Sequence, residues 1–252
     1  MKSKGLRWSV VFLVLTLTQT VWAKDYRASV FGIKSDGVTL NTRSIQKAVD
    51  FISENGGGKL VFYVGRYLTG TITLKSNVTI QLEEGAILVG TPSIYDYYTV
   101  DGMKALIVAN NQQNIGITGK GVIDGQGTTV LEQINNQISK GYMKETALQA
   151  SPALIAMDSC RQVTFSELNL VNACGNVQTY SGCRELTIRD VTVKSTVVAD
   201  SKGLVLSECN GVKLSKIYFE TSGKECVTDG KSKNITADGC KNEMGKTVSA
   251  KN

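Results

Sequence analysis

The sequence predicts an all-β fold, a parallel β-helix closed at its start by a capping α-helix. Three observations carry that prediction: a short motif recurring at periods in the twenties, apolar and polar residues alternating around each copy, and one amphipathic stretch placed ahead of the strands. Ser159-Cys160-Arg161-Gln162-Val163-Thr164-Phe165, Gly182-Cys183-Arg184-Glu185-Leu186-Thr187-Ile188 and Glu208-Cys209-Asn210-Gly211-Val212-Lys213-Leu214 each set apolar residues three and five positions after a cysteine. The cysteines are 23 and 26 residues apart, and Ser232, ahead of Ile235 and Ala237, takes the same slot 23 residues further on. Such a period marks a unit that cannot bury its apolar side alone and stacks on its neighbours. Alternation with period two makes those units strands. Cys160, Cys183, Cys209 and Ser232 are therefore expected in successive coils, one rung of about 4.8 Å apart.

Taken in order, the chain begins with Lys2, Lys4 and Arg7, then an apolar run from Trp8 to Leu17, and Val21-Trp22-Ala23 ends in small residues. Residues 1–23 read as a cleavable export signal and residues 24–252 as one domain. The apolar run is too short to cross a bilayer and no later segment is longer, so a soluble protein, secreted or periplasmic, is expected. Without the leader, 25 basic residues face 22 acidic ones, a bias too weak to imply a nucleic-acid partner. No cofactor is implied, and a monomer is expected.

Tyr26 to Gly37 reads as a first strand and turn. Asn41-Thr42 offers a helix N-cap, Ile45, Ala48, Val49 and Ile52 fall at helical spacing, and Gly56-Gly57-Gly58 ends the helix. Its expected task is to cover the first coil, whose unpaired edges would otherwise invite aggregation. Leu60–Val64, Thr71–Leu74, Val78–Leu82 and Ala86–Val89 are strand runs separated by Gly, Asn or charged turns. From Thr128 to Ala150 the strand pattern lapses, which predicts a loop or short helix leaving the solenoid. The six cysteines of an exported chain suggest disulfides. However, three of them share one rung position, where a ladder of three cannot pair completely, and free packed thiols are expected there. The state of Cys174, Cys226 and Cys240 stays open.

Asp36-Gly37, Asn41-Thr42, Ile45-Gln46-Lys47-Ala48, the glycine triplet, Gly65-Arg66-Tyr67-Leu68-Thr69-Gly70, Leu74-Lys75-Ser76-Asn77-Val78 and Leu82-Glu83-Glu84-Gly85-Ala86 follow one another in a telling order. Together with Gly119-Lys120-Gly121-Val122-Ile123-Asp124-Gly125-Gln126-Gly127, they give the chain a resemblance to glycoside hydrolase family 28, the polygalacturonases and their relatives. The resemblance implies a right-handed β-helix with a sugar-binding groove along one flank, and inverting hydrolysis by opposed carboxylates. It further implies a tryptophan platform in the excursion. Both tryptophans of this chain, Trp8 and Trp22, precede residue 24, which leaves Tyr95, Tyr97, Tyr98 and Tyr142 as aromatic candidates. Ser151-Pro152 stands where the family has Arg-Pro.

In the family, the chemistry sits in an Asn-x-Asp-Gly turn, a Gly-Asp-Asp-Cys turn one coil later, and a Gly-His-Gly turn beyond. By the repeat register these positions fall on Asp200-Ser201-Lys202-Gly203, Gly223-Lys224-Glu225-Cys226 and Gly245-Lys246-Thr247. Lys202, Lys224 and Lys246 thus replace two aspartates and a histidine. The sequence contains no histidine, and Asn252 is reached before the family's Arg-x-Lys clamp. Glu225 is the one carboxylate at a matching position; Asp200 is two positions out of register, and Asp229 is a more distant stand-in. Three ammonium groups on adjacent coils oppose an oxocarbenium-like transition state, so hydrolysis is expected to be impaired. The leading reading is an exported, pectin-directed β-helix that binds acidic polysaccharide such as polygalacturonate through Lys202, Lys224, Lys246 and Asp200. The alternatives are an active hydrolase of pectic polysaccharides using Glu225 as its catalytic carboxylate, and a lyase using a groove lysine as base.

Overall fold

The computed structural model describes residues 24–250, so the expected leader at residues 1–23 lies outside the described residues. The strands form three parallel sheets wound into a right-handed parallel β-helix. Sheet A has eight strands, from Asp25–Arg27 through Arg161–Ser166, Arg184–Arg189 and Asn210–Ser215 to Lys233–Asp238. Sheet B runs from Gly65–Thr69 to Lys241–Asn242, and sheet C from Ile72–Thr73 through Gln178–Ser181 and Leu204–Ser207 to Cys226–Thr228. Each coil passes from A to B to C and back to A. The one antiparallel pairing among these strands is local, where Thr99–Val100 folds onto Met103–Asn110.

The alternation seen in the sequence becomes a set of inward ladders. In sheet A, Leu60, Ile80, Ile117, Phe165, Ile188 and Leu214 stack rung on rung. All are buried, and each is in register with its neighbour, because a one-residue slip would turn the whole apolar set outward. Sheet B does the same with Tyr67, Leu88, Ile123, Leu170, Val193 and Phe219. Sheet C places Ile107, Ile155, Gln178 and Leu204 on one ladder, where the buried Gln178 breaks the apolar run and its Oε1 accepts the Tyr180 hydroxyl at 3.0 Å.

The cysteine register is also as the sequence predicts. Arg161 pairs with Arg184, Arg184 with Asn210, and Asn210 with Lys233, so the residues just before them, Cys160, Cys183, Cys209 and Ser232, share one position of four successive coils. All six cysteines are free. Hydrogen bonding to Cys160 and Cys209, reinforced by burial, pushes the Cys183 thiol far above its ordinary value and keeps the middle of the ladder protonated.

Helix α1, Thr42–Glu54, lays its Ile45, Ala48, Val49 and Ile52 stripe over the open end and buries it completely. The N-cap departs from expectation. Asn41 occupies the cap position but makes no side-chain cap; its Nδ2 donates to the Lys34 and Thr39 carbonyls and its Oδ1 accepts from the Lys34 amide at 2.7 Å. Thr42 instead ties the helix to the coil, its Oγ1 accepting from the Gly70 amide at 2.7 Å. The excursion contains helices α2, Gly127–Ser139, and α3, Thr146–Gln149, with Val130 and Ile134 turned into the core.

Candidate functional site

The turns that lead from sheet B into sheet C share one flank of the solenoid, and Asp200, Lys202, Lys224 and Glu225, the residues the repeat register singles out, lie there. Because Gln178, Leu204 and Cys226 are in register, the residues two before them, Asn176, Lys202 and Lys224, occupy one position of three successive coils. The backbone confirms the stack: the Val177 amide donates to the Lys202 carbonyl at 2.8 Å, and the Gly203 amide to the Lys224 carbonyl at 3.0 Å. Asn176 Oδ1 also accepts from the Lys202 amide at 3.3 Å. Gly203 cannot carry a side chain here, since a Cβ would lie 2.7 Å from the Glu225 carbonyl and from the Phe219 ring.

Three charges of the site are already engaged. The Lys202 ammonium pairs with Asp200 Oδ2 at 2.9 Å, and Asp200, in a left-handed backbone conformation, leans over Gly223, where a Cβ would be 3.0 Å from its Oδ1. Glu225, partly buried, accepts a hydrogen bond at 2.8 Å on its Oε1 from Asn242 Nδ2. Lys224 is exposed and makes no ion pair with the described residues.

Lys246 does not continue the stack of Lys202 and Lys224. After Asn242 the chain turns at Gly245, with φ near 72°, and Thr247 bridges back antiparallel to Lys241. The Lys246 amide donates to Asn242 Oδ1 and the Asn242 amide to the Lys246 carbonyl, both at 3.0 Å. The parallel ladder therefore presents two lysines, while Asn242 joins the hairpin carrying Lys246 to Glu225. Sequence reasoning missed Asn242. Its signal was a polar residue in the sheet B slot filled by Val193 and Phe219 in the preceding coils.

A buried serine network also escaped the sequence. Ser201, 2 % exposed, contacts Ser195 Oγ at 3.0 Å and donates to the Gly175 carbonyl at 2.7 Å, pinning the turn that carries Asp200 and Lys202.

Asp229 lies past the end of its sheet C strand, at the corner leading into sheet A. The Ser207 hydroxyl at 2.8 Å, with the Glu208 and Lys231 amides at 3.0 Å each, holds its carboxyl down at about 2. It is ionised throughout the neutral range and has no proton to offer as an acid. Its contribution to stability is present above the ordinary carboxyl value near ~3.9 and is lost as pH falls toward the folded value. A carboxyl NMR titration should give a midpoint of about 2 for Asp229. Ser207→Ala should raise that midpoint; an unmoved midpoint would show that the hydroxyl is not its main cause.

Of the tyrosine candidates, Tyr97 is buried, its hydroxyl given to the Thr91 carbonyl, and offers no platform. Tyr95 and Tyr98 are exposed and, with Leu40, Arg43 and Gln46, line a cleft of about 540 Å³ on the same flank, toward α1. Their hydroxyls are fixed by Gln137 of α2 and by the Thr71 carbonyl. Tyr142 stands exposed between α2 and α3.

Comparison with known proteins matches this architecture. An exo-poly-α-D-galacturonosidase of Dickeya chrysanthemi is 27 % identical over 248 residues, covering 88 % of this chain and 40 % of the enzyme. This chain spans half or less of the length of that enzyme and of the maize exopolygalacturonase it also matches. A crystal structure from Parabacteroides merdae, classed with the glycosyl hydrolases, superposes with a TM-score of 0.85 at 47 % identity, covering 90 % of this chain and 99 % of the other. The exopolygalacturonase of Thermotoga maritima shares the fold, with a TM-score of 0.71 at 20 % identity over 87 % of this chain and 60 % of its own. The sequence pattern of the family extends over residues 34–250, nearly the whole solenoid and both lysine turns, and the chain belongs to the glycosyl hydrolases family 28.

Proposed function

We propose that this chain binds an acidic polysaccharide of the polygalacturonate type at the turns entering sheet C, with its hydrolytic chemistry impaired. The observation that carries this reading is the stacking of Lys202 on Lys224 at one position of adjacent coils. The Lys224 ammonium, without an ion pair among the described residues, and the Lys202 ammonium a rung away, held by the exposed Asp200, suit a polymer bearing a carboxylate on each sugar. The same placement argues against hydrolysis. Inverting cleavage needs one protonated and one ionised carboxyl about 6.5–9.5 Å apart across the scissile bond. Asp200 is engaged by Lys202, and Glu225 by Asn242. A lysine ammonium, with an ordinary value near ~10.4, is a poor acid at neutral pH. The leader-like pattern of residues 1–23 supports an exported protein, and the chain is proposed to act as a monomer.

Calorimetry with trigalacturonate tests the binding. Affinity should fall steeply between low and physiological salt, because exposed charges are screened over about 8–10 Å. Lys224→Ala should weaken binding several-fold, and Lys224→Asp should do so further. Affinity indifferent both to salt and to Lys224 would overturn the reading.

A second reading, residual hydrolysis through Glu225, draws on family membership and on the partly buried, oriented Glu225 carboxylate. It requires that Glu225→Gln abolish release of reducing ends. The lyase reading, with Lys224 as base, requires unsaturated uronate ends instead.

A further inference from the structure

Several charges along this solenoid are matched from coil to coil. Four cations face a carboxylate on an adjacent coil: Arg189 with Glu167 at 3.7 Å, Lys194 with Glu220 at 3.0 Å, Lys216 with Asp190 at 3.9 Å, and Lys231 with Glu208 at 2.7 Å. Parallel, in-register stacking favours such matching, since it sets each side chain about 4.8 Å from its counterpart. Like charges meet at Lys202 and Lys224, described above, and again where two successive coils enter sheet A. Arg161 and Arg184 are direct partners in the ladder, flanked by the neutral Gln113 and Asn210, and neither is ion-paired with the described residues. Both are exposed, and the residue after each, Gln162 and Glu185, has φ near 53° and 57°.

The two arginines do not stand on a flat surface. With Ser76, Gln113 and Ser159 they line a cleft of about 470 Å³, the lining of which is mainly polar. Asp158 stands beside it, with Oδ1 3.7 Å from the point where a Cβ on the lining residue Gly182 would sit. Two forked guanidinium groups match a planar carboxylate, which each can grip with paired N–H donors. The surrounding hydroxyls, amide and Asp158 carboxylate match sugar hydroxyls, which both donate and accept. A bare inorganic anion would leave those groups unused.

We propose that Arg161 and Arg184 form a second binding site for a uronate sugar, with its carboxylate between the two guanidinium groups and its hydroxyls against Ser159 and Asp158. The site sits at the opposite end of the sheet C strands from Lys202 and Lys224. It shares with the function proposed above only the chemical class of the ligand, and it stands or falls on different residues. Two such sites on one solenoid would let the protein hold two acidic strands, or two stretches of one strand, at once.

Protection from the arginine reagent phenylglyoxal, read residue by residue on the intact protein by peptide mass spectrometry, tests this. At ten times its dissociation constant, digalacturonate should slow modification of Arg161 and Arg184 about tenfold while leaving the exposed Arg66 unchanged. Neutral digalactose, and sulfate at matched ionic strength, should protect neither. Protection should persist in Lys202→Ala/Lys224→Ala protein. In Arg161→Gln, modification of Arg184 should no longer respond to digalacturonate. Failure of digalacturonate to protect, equal protection by digalactose or sulfate, or loss of protection in the double lysine variant would each overturn the site. If trigalacturonate binding in the native protein stays sensitive to Lys224 while these arginines go unprotected, only this second site fails.

Discussion

Ile52→Asp should lower stability by about 4–5 kcal/mol and the melting temperature by roughly 10–20 °C, as judged from the cost of burying an unpaired charge and the scaling for a domain of this size. Ile52 is fully buried on the last turn of α1, in the stripe with Ile45, Ala48 and Val49 that packs onto the first coil. The carboxylate would meet apolar side chains such as those of the sheet A ladder, and α1 would have to lift to hydrate it. Lifting α1 exposes strand edges at the start of the solenoid, so aggregation on heating should rise as well. Differential scanning calorimetry checks this. A variant melting within a degree of the parent would mean that α1 is not docked in solution.

Gly119→Ala should cost about 3–5 kcal/mol, the second large effect. Its φ is near 102°, a backbone state that L side chains rarely adopt, and a Cβ would lie 2.2 Å from the Leu82 carbonyl oxygen of the adjacent coil. The first problem is strain of about 1–2 kcal/mol and the second is overpacking of about 1–3 kcal/mol or more. Leu82 cannot move away easily, because its carbonyl also accepts the Gly121 amide at 3.0 Å and its side chain fills the core. The glycine at the head of the Gly119-Lys120-Gly121-Val122-Ile123-Asp124-Gly125 stretch thus reflects coil-to-coil distance. Chemical denaturation with an unchanged midpoint in Gly119→Ala would show that the coils separate there at little cost.

Much of the fold was legible because stacking repeats one physical requirement many times. The cysteine-to-apolar spacing at Cys160, Cys183 and Cys209 gave the register of sheet A, and the Ile45–Ile52 stripe gave the buried face of α1. Single events were harder to read. Asn41 looks like an N-cap, yet its side chain serves the preceding loop, a choice between two local hydrogen-bond partners that spacing does not reveal. Gly245-Lys246-Thr247 looks like a turn into another coil, and the reversal there depends on Asn242, whose side chain accepts from the Met244 and Lys246 amides. Tyr97 was indistinguishable from Tyr95 and Tyr98 until the loop's path fixed which ring faces the core. The site followed the same division: the Lys202 and Lys224 stack came with the repeat, whereas the Asp200, Asn242 and Ser201 contacts arise from turns whose lengths differ from coil to coil. The Arg161 and Arg184 pair lay within the repeat motif itself. Its unmatched charge stands out only beside the ion pairs that join other coils.

The claim of binding without efficient cleavage is tested most directly by incubating the protein with polygalacturonate at low salt. Bound polymer, new reducing ends and the ultraviolet absorbance of unsaturated uronate are measured together, in native protein and in Lys202→Ala/Lys224→Ala. The account predicts retention of polymer by the native protein, its loss in the double variant, and no rise in reducing ends or absorbance with time. Reducing ends that accumulate catalytically and vanish in Glu225→Gln would contradict it.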